Sequence, residues 1–213
     1  MLARQSRTDR AVNELRAAII AGTLEPGLPL RQDRIARKLG LSHIPVREAL
    51  RRLEAEGLVR IRPMCGATVA ALSAREIEEL SEMRGALESL ALRLAAPKIR
   101  SAELRRAGEI LGRMDRMSPR WGELNTEFHL VLYAPADRPR LLQQIESLHR
   151  NVERYVIHEE KVGKGLQGTQ KEHRLLLELL RAKKIDDAMA LLNDHIIVPS
   201  RLLASELRSK GLS

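Results

Sequence analysis

Cysteine is nearly absent from this chain of 213 residues, where Cys65 stands alone. A single thiol excludes an intramolecular disulfide and any multi-cysteine zinc finger. Aromatic residues are almost as scarce: Trp121, Phe128, Tyr133 and Tyr155 are all there are. That argues against a protein that binds single-stranded nucleic acid by stacking bases on a platform of rings. There is no run of about 18 apolar residues, as a membrane-spanning helix would need. The opening stretch MLARQSRTDR lacks the apolar core of a secretory signal. These absences lead us to expect a soluble, cytoplasmic protein. The hydrophobic fraction of 44% is that of a globular chain able to fill a core.

Charge is present in excess of one sign. Lys and Arg number 37 against 28 Asp and Glu, a formal net charge of +9. Residues 1–72 hold 13 Lys/Arg against 7 Asp/Glu, whereas residues 73–213 hold 24 against 21. A small basic unit joined to a larger, nearly balanced one fits an anion-binding head on a neutral body. Surplus arginines that merely solubilise the chain would give the same totals, so the pattern of residues has to decide.

In the first 72 residues, Val12, Leu15, Ile19 and Ile20 fall at helical spacing, with Thr8 or Asp9 as cap and Gly22 at the end. The stretch TLEPGLPL reads as a turn with at most a short extended piece. A second, short helix, RQDRIARKLG, ends at Gly40. Ser42 then caps a third helix, HIPVREALRRLEAEG, where Val46, Leu50 and Leu53 share one face and Arg47 and Arg51 another. Two β-prone runs, LVRIRP and ATVAAL, flank a glycine turn. Helix, short helix, turn, helix, hairpin is the order of a winged helix-turn-helix. From Ser73 onward no strand signal appears, and about six helices follow as an all-helical bundle. The first of these carries Ser73 and Glu76 in a capping box and stops at Pro97, and the last is expected to bend at Pro199. Between the fourth and fifth, KVGKGLQGTQ reads as a mobile loop. The fold is therefore expected to be mainly α, with a domain boundary near residue 72 and no internal repeat.

Ser42, His43 and Arg47 stand at the N-terminal end of the third helix, where a helix in the major groove meets base edges. Arg47 can chelate a guanine or clamp a phosphate, and Ser42 can take a phosphate oxygen at a helix N-terminus. An ordinary surface helix laced by pairs such as Glu48 with Arg52 is the competing reading. In the body, Asn125 and His129 lie four apart and so share a helix side, while His173 and His195 stand beside apolar runs. Bundles build metal sites from ligands on facing helices, and three imidazoles with one oxygen suit Zn²⁺ or Ni²⁺, with Mn²⁺ a further possibility. Each histidine could equally be a separate, hydrogen-bonded core residue. His43, His149 and His158 have no such company and are expected at the surface.

The segment LSHIPVREALRRLEAEGLVRI resembles the signature of the GntR superfamily of bacterial transcriptional regulators, over roughly residues 8–71. The resemblance implies a winged helix-turn-helix that contacts double-stranded DNA through Asp33, Ser42, His43, Ile44, Pro45, Arg47 and the wing tip around Cys65 and Gly66. Arg51, one turn beyond Arg47, extends the set. Relatives commonly carry Arg where this chain has His43 and Thr where it has Ile44, and some carry Arg in place of Asp33, so the operator sequence does not transfer. Ile44 is suited to a thymine methyl. Cys65 could act as a redox sensor or be a small exposed turn residue.

Further on, NTEFHLVLY, KEHRLLLELL and DDAMALLNDHI resemble the ligand-binding FCD domain of the FadR subfamily, with a helix count like its VanR-type branch. The resemblance implies a metal held by Asn125, His129, His173 and His195, with Asn125 replacing the usual acid and bringing no negative charge. It also implies that Arg84, in MRGALESLALRLAA, grips the carboxylate of a small organic acid. A structural pair with Glu88, one turn later, is the alternative for Arg84. The expected function is a ligand-responsive regulator, a repressor, acting as a homodimer on a palindromic operator and not as an enzyme. Two alternatives are a direct metal sensor and a metal-dependent hydrolase or lyase, for which Glu127 and Glu172 adjoin the histidines but no HExxH motif exists.

Overall fold

A computed structural model describes residues 6–115, 120–161 and 166–212, except for the side chains of 157–161 and 166–168. The chain divides into two compact units, one running up to Leu72 and including Arg154–His158, the other holding the remainder.

The first unit begins with α1 (Arg7–Ile20), which buries Ala11, Val12, Leu15 and Ile19. Its cap is Ser6 rather than Thr8 or Asp9. Ser6 accepts from the Asp9 backbone, and the Asp9 carboxylate reaches back to the Ser6 backbone. Asp9 sits at the third helical position, where a carboxylate also meets the positive end of the helix dipole. Helix α2 (Gln32–Leu39) stops at Gly40, which adopts φ 63°. A residue without Cβ takes that left-handed turn without strain. Helix α3 (His43–Ala55) follows and buries Val46, Ala49, Leu50 and Leu53 against α1 and α2. Each fully buried leucine contributes roughly 1.5–3 kcal/mol.

Strands β1 (Val59–Arg62) and β2 (Gly66–Val69) pair antiparallel, with Val59 opposite Val69 and Arg62 opposite Gly66. The TLEPGLPL segment supplies a short extended piece: Pro29 bridges Thr68, Leu30 N–H donates to Ala67 and Val69 N–H donates to Leu28. The wing is thereby tied back to the α1–α2 connection, and Ala67 and Val69 join the core of the unit.

The second unit contains α4 (Ala74–Ala95), α5 (Ser101–Met114), α6 (Trp121–Tyr133), most of α7 (Pro139–Lys161), α8 (Leu166–Arg181) and α9 (Ile185–Ser209). Ser73 caps α4 by accepting from the Glu76 N–H. Pro97 lies in the short 3₁₀ turn that follows α4, and α9 runs on through Pro199. Helices α4 and α9 pack along their lengths, with Gly85 bringing α4 close to Ile197 and Asn193. The core gathers Leu92, Ile110, Met114, Phe128, Leu132, Tyr133, Ile145, Leu176, Leu192 and Ile196. The glycine-rich stretch expected as a loop is shorter than read. Residues 166–170 are already helical, while 162–165 lie outside the described residues.

Candidate functional site

The two flanks of α3 are engaged differently. On one, Thr8 Oγ1 donates to Glu48 at 2.9 Å, Arg52 donates to Asp9 at 2.8 Å, and Arg16 holds Glu56 through two bonds of 2.8 and 2.6 Å. Glu48 and Arg52 thus reach across to α1 instead of pairing with each other, and they orient α3 from behind. The other flank makes no such ties to α1 among the described residues. Ser42, His43, Ile44, Arg47 and Arg51 are exposed, Ile44 at 61%, and Ser42 makes no side-chain cap bond. His43, Arg47 and Arg51 succeed each other at one-turn intervals, forming a single basic edge. Among the described residues Arg47 and Arg51 have no partner in the protein. His43 Nδ1 approaches Asp33 Oδ1 at 3.4 Å, which brings two of the DNA-contacting candidates together on adjacent helices. Pro45 is the exception in this set, because it is buried in the unit's packing and does not lie on the exposed edge. At the wing, Met64 and Gly66 take positive φ to turn the hairpin, and Cys65 is exposed beside Arg60 and Arg62 in a shallow groove.

In the body, helices from distant parts of the chain bring His129, His173 and His195 together. One ring nitrogen from each lies within 4.8 Å of those of the other two. The rings of His129 and His173 are 5.1 Å apart, those of His129 and His195 5.4 Å, and those of His173 and His195 4.7 Å. His129 and His173 are fully buried. Hydrogen bonds turn the outer nitrogens away from the centre. His195 Nδ1 lies 2.7 Å from Glu172 Oε2, a carboxylate that can only accept, so this nitrogen carries the proton. His173 Nδ1 faces the Gln170 amide oxygen at 3.4 Å. The Nε2 atoms of His173 and His195 then face one another at 3.2 Å. When both Nδ1 atoms carry the ring protons, two lone pairs meet there, an arrangement that a cation satisfies.

Two further atoms point the same way. His129 Nε2 and Asn125 Oδ1 are buried and have no hydrogen-bond partner. A buried nitrogen and a buried carbonyl oxygen left unpaired are costly unless something receives them. The three converging imidazoles fit a divalent transition ion, and Asn125, one turn before His129 on α6, carries a carbonyl oxygen of a kind that such ions accept.

Next to the triad lies a buried polar cluster that the residue pattern did not disclose. Arg84 Nε donates to Glu88 Oε1 at 2.8 Å, and the Tyr133 hydroxyl donates to Glu88 Oε2 at 2.9 Å. The structural pair weighed as an alternative for Arg84 is thus formed. His149, expected at the surface, is buried at 3% exposure, with Nε2 3.1 Å from Glu88 Oε1 and 3.3 Å from Arg84 Nη2. Its place was readable in one respect: Ile145, His149 and Val152 recur at core spacing along α7, and all three are buried. Arg84 and Glu88 likewise interrupt the buried stripe Ile77, Ser81, Ala91 and Ala95 of α4. The side chain of His158 lies outside those described.

Burial pushes the Glu88 carboxyl up, but the adjacent Arg84 guanidinium and His149 more than offset it and hold the group well below the carboxylate range. Burial lowers His129 and His173 well below the usual imidazole value; Glu88 opposes this at His129 without reversing it, and positive charge on neighbouring histidines, His173 beside His129 and His195 beside His173, adds to the lowering. His149 is lowered by burial and then by Arg84. Tyr133 is raised by burial and by Glu88. The cluster thus keeps neutral imidazoles, which are the form that ligates metal.

Glu127, one of the two carboxylates considered as a general base, instead meets Arg106 at 3.2 Å and Arg113 at 3.6 Å. Glu172 is occupied by the His195 ring. Neither is placed to activate a water at the triad.

A winged helix-turn-helix with a free basic edge, followed by a helical unit with a buried polar site, has the make-up of a two-part DNA-binding regulator. Residues 7–69 match the gntR family of bacterial regulatory proteins, and residues 78–197 match the FCD domain. The chain is 30% identical to the HTH-type transcriptional regulator McbR of Escherichia coli over 148 residues, 67% of either chain. It is also 30% identical over 182 residues to a probable D-xylose utilization operon transcriptional repressor of Paenarthrobacter nicotinovorans, covering 84% of this chain and 80% of that one. Among solved structures, E. coli McbR/YncC aligns with a TM-score of 0.79 at 25% identity, over 94% of this chain and 98% of that chain. The chain belongs to the FCD-type branch of the GntR family, and it is a DNA-binding transcriptional regulator rather than an enzyme.

Proposed function

We propose that this regulator is a repressor that binds a palindromic operator as a homodimer, and that its helical unit holds a divalent transition ion beside a small organic acid that modulates operator affinity. The observation that carries the metal reading is the convergence of one ring nitrogen from each histidine, His173 and His195 facing through Nε2, with His129 Nε2 and Asn125 Oδ1 buried and otherwise unpaired. His129, His173 and His195 would hold the ion with Asn125, and Zn²⁺ or Ni²⁺ suits these donors best. When bound, the ion supplies a Lewis-acidic point for an oxygen of the effector. Arg84, whose guanidinium carries five donors and is shared with Glu88, is the candidate for the effector's carboxylate. On the DNA side, Arg47 reads a base or phosphate in the major groove, with Ser42, His43, Ile44 and Arg51 along the same edge and Gly66 at the wing tip. The repressor sign follows the role named for the D-xylose relative. Exposed Met83 and Leu90, seven apart on α4, and Val198 and Leu202, four apart on α9, leave apolar surface for a second copy to cover. A cytoplasmic location follows from the operator reading.

Metal content of the purified protein, repeated on His129→Ala and His173→Ala, tests the site. We expect about one ion per chain, lost in both variants. An ion retained by both would sink the assignment. Operator titrations with added carboxylic acids then test the effector, and affinity indifferent to every acid would overturn that part. Because Asn125 brings no charge, the ion is expected to bind more weakly than to an acid-bearing site. Operator binding that responds to the metal alone would make the ion itself the signal.

A further inference from the structure

His129 differs from the other two imidazoles of the triad. His195 has a carboxylate and His173 an amide oxygen behind its Nδ1, whereas the hydrogen-bond partner of His129 Nδ1 is the Tyr133 hydroxyl at 3.2 Å, with Glu88 Oε2 behind it at 3.9 Å, beyond hydrogen-bond reach. A phenol is both donor and acceptor, so by itself it does not say which nitrogen of His129 carries the proton. The answer lies one step further back. Tyr133 has a single hydrogen, and it goes to Glu88 Oε2 at 2.9 Å. The Glu88 carboxylate offers no donor in return. Tyr133 therefore has only lone pairs to show to His129, and the contact at Nδ1 is satisfied only if Nδ1 bears the proton. A second proton, on Nε2, would be a buried donor with nothing to receive it.

We propose that Glu88 and Tyr133 are positioning residues that lock His129 with Nδ1 protonated and Nε2 bare, so that the carboxylate gripping Arg84 also presets a ligand of the imidazole triad. Glu88 Oε1 holds Arg84 and faces His149 while Oε2 holds Tyr133. One buried carboxylate thus joins the effector anchor to the metal side of the site through two hydrogen bonds. The relay deepens the metal reading and rests on it only for its affinity arm, because the proton's position is a property of the metal-free chain. Partners behind ligating histidines typically alter metal affinity ten- to a hundred-fold when removed.

The two links of the relay give opposite signatures. In Tyr133→Phe, Nδ1 loses its hydrogen-bond acceptor, the Glu88 Oε2 at 3.9 Å being too distant to replace it, and His129 should become a mixture of its two neutral forms. In Glu88→Gln, Arg84 keeps the amide oxygen, so the amide NH₂ turns to Tyr133. The hydroxyl then accepts from Gln and donates to His129 Nδ1, which moves the ring proton to Nε2.

The experiment is ¹⁵N NMR of the histidine rings in the metal-free protein and both variants, with Zn²⁺ affinity measured by competition with a chelator and folding checked by circular dichroism. We expect the Nδ1-protonated form in the parent, a mixture in Tyr133→Phe, the Nε2-protonated form in Glu88→Gln, and Zn²⁺ affinity about ten- to a hundred-fold weaker in both. A parent with His129 protonated at Nε2 overturns the relay even if neither variant folds. An unchanged tautomer in folded Glu88→Gln overturns it as well. If the tautomers follow the expected order but the parent binds no Zn²⁺, the relay stands and the metal reading falls. If Zn²⁺ binds while the tautomers ignore both substitutions, the reverse holds.

Discussion

The α3 edge of the first unit and the Glu88 cluster of the second both consist of charged and polar side chains, yet they stand in opposite environments. Arg47, Arg51 and His43 project into water, where an unpaired charge costs nothing and a nearby ion pair contributes little. Glu88, Arg84, His149 and Tyr133 have been taken out of water, and each is tied to another member of the cluster. A buried charge must be paired to be tolerated at all. The contrast separates two ways of building a functional site. The exposed edge keeps its donors free for a partner that arrives. The buried cluster spends its donors internally, while the bare nitrogens and the Asn125 oxygen remain for a guest.

The largest test of that contrast is Glu88→Ala. Removing the carboxylate strands Arg84 in the interior, and a loss of about 3–5 kcal/mol in unfolding free energy is expected. Urea unfolding followed by Trp121 fluorescence reads it, since this sole tryptophan lies in α6 of the second unit. A loss below about 1 kcal/mol would mean that Arg84 relaxes into solvent and that the cluster is not the rigid element described.

pH separates the two units next. Burial depresses His129, His173 and His149, so the unfolded chain binds more protons than the folded one once pH drops below the ordinary imidazole value of about 6.5. Their contribution is intact above that value and is lost progressively as pH falls toward their folded values. In the first unit the shift to consider is Asp9, lowered by its bonds to Ser6 and Arg52, whose contribution is intact above about 3.9 and lost only below it. Metal-free protein followed by hydrogen exchange between pH 7 and pH 5 should therefore lose protection in α6 and α8 while α1 and α3 keep theirs. Uniform loss would contradict the assignment.

Arg47→Ala should show the reverse of Glu88→Ala. Stability is expected to stay within about 0.5 kcal/mol, as for surface substitutions generally. Specific DNA affinity should fall by about 1–3 kcal/mol if Arg47 reads a guanine. Gel-shift titration against an operator selected from a random library measures it, and unchanged affinity would move the reading edge elsewhere. The smallest effect is expected from Cys65→Ser at the exposed wing turn: no measurable change in unfolding, and no change in the response of operator binding to peroxide. A peroxide response abolished by the substitution would revive the redox reading of Cys65.

Much of the first unit was legible because its signals are local. The α3 face of Val46, Leu50 and Leu53, the Gly40 stop and the glycine turn between two β-prone runs all lie within a few residues of what they specify. The departures were local too. Ser6 replaced Thr8 or Asp9 as cap, because Asp9 is more useful one turn in, and Pro45 turned inward. In the second unit, the helical spacing of Asn125 and His129 and the apolar settings of His173 and His195 left ligands and separate core residues both open, and the resemblance to the FCD domain grouped them. Neither picked out what surrounds the triad. Arg84, Tyr133, His149 and Glu172 come from four helices, α4, α6, α7 and α8, and spacing along one helix says nothing about which face of another it meets. A charged or ionisable residue in an apolar stripe was the available signal at Glu88 and His149. It becomes decisive only when the partner across the interface is known.

By itself, then, the sequence determined the order of elements and the basic edge on α3, because periodicity, caps and turn residues act over a few residues of chain, while the candidate ligands came from the resemblance to the FCD domain. Only the tertiary structure decided which of the polar residues would be neutral, paired or bare. That depends on burial and on donors and acceptors from separate helices meeting at about 3 Å, where a carboxylate with two oxygens and a phenol with one hydrogen leave a single consistent arrangement.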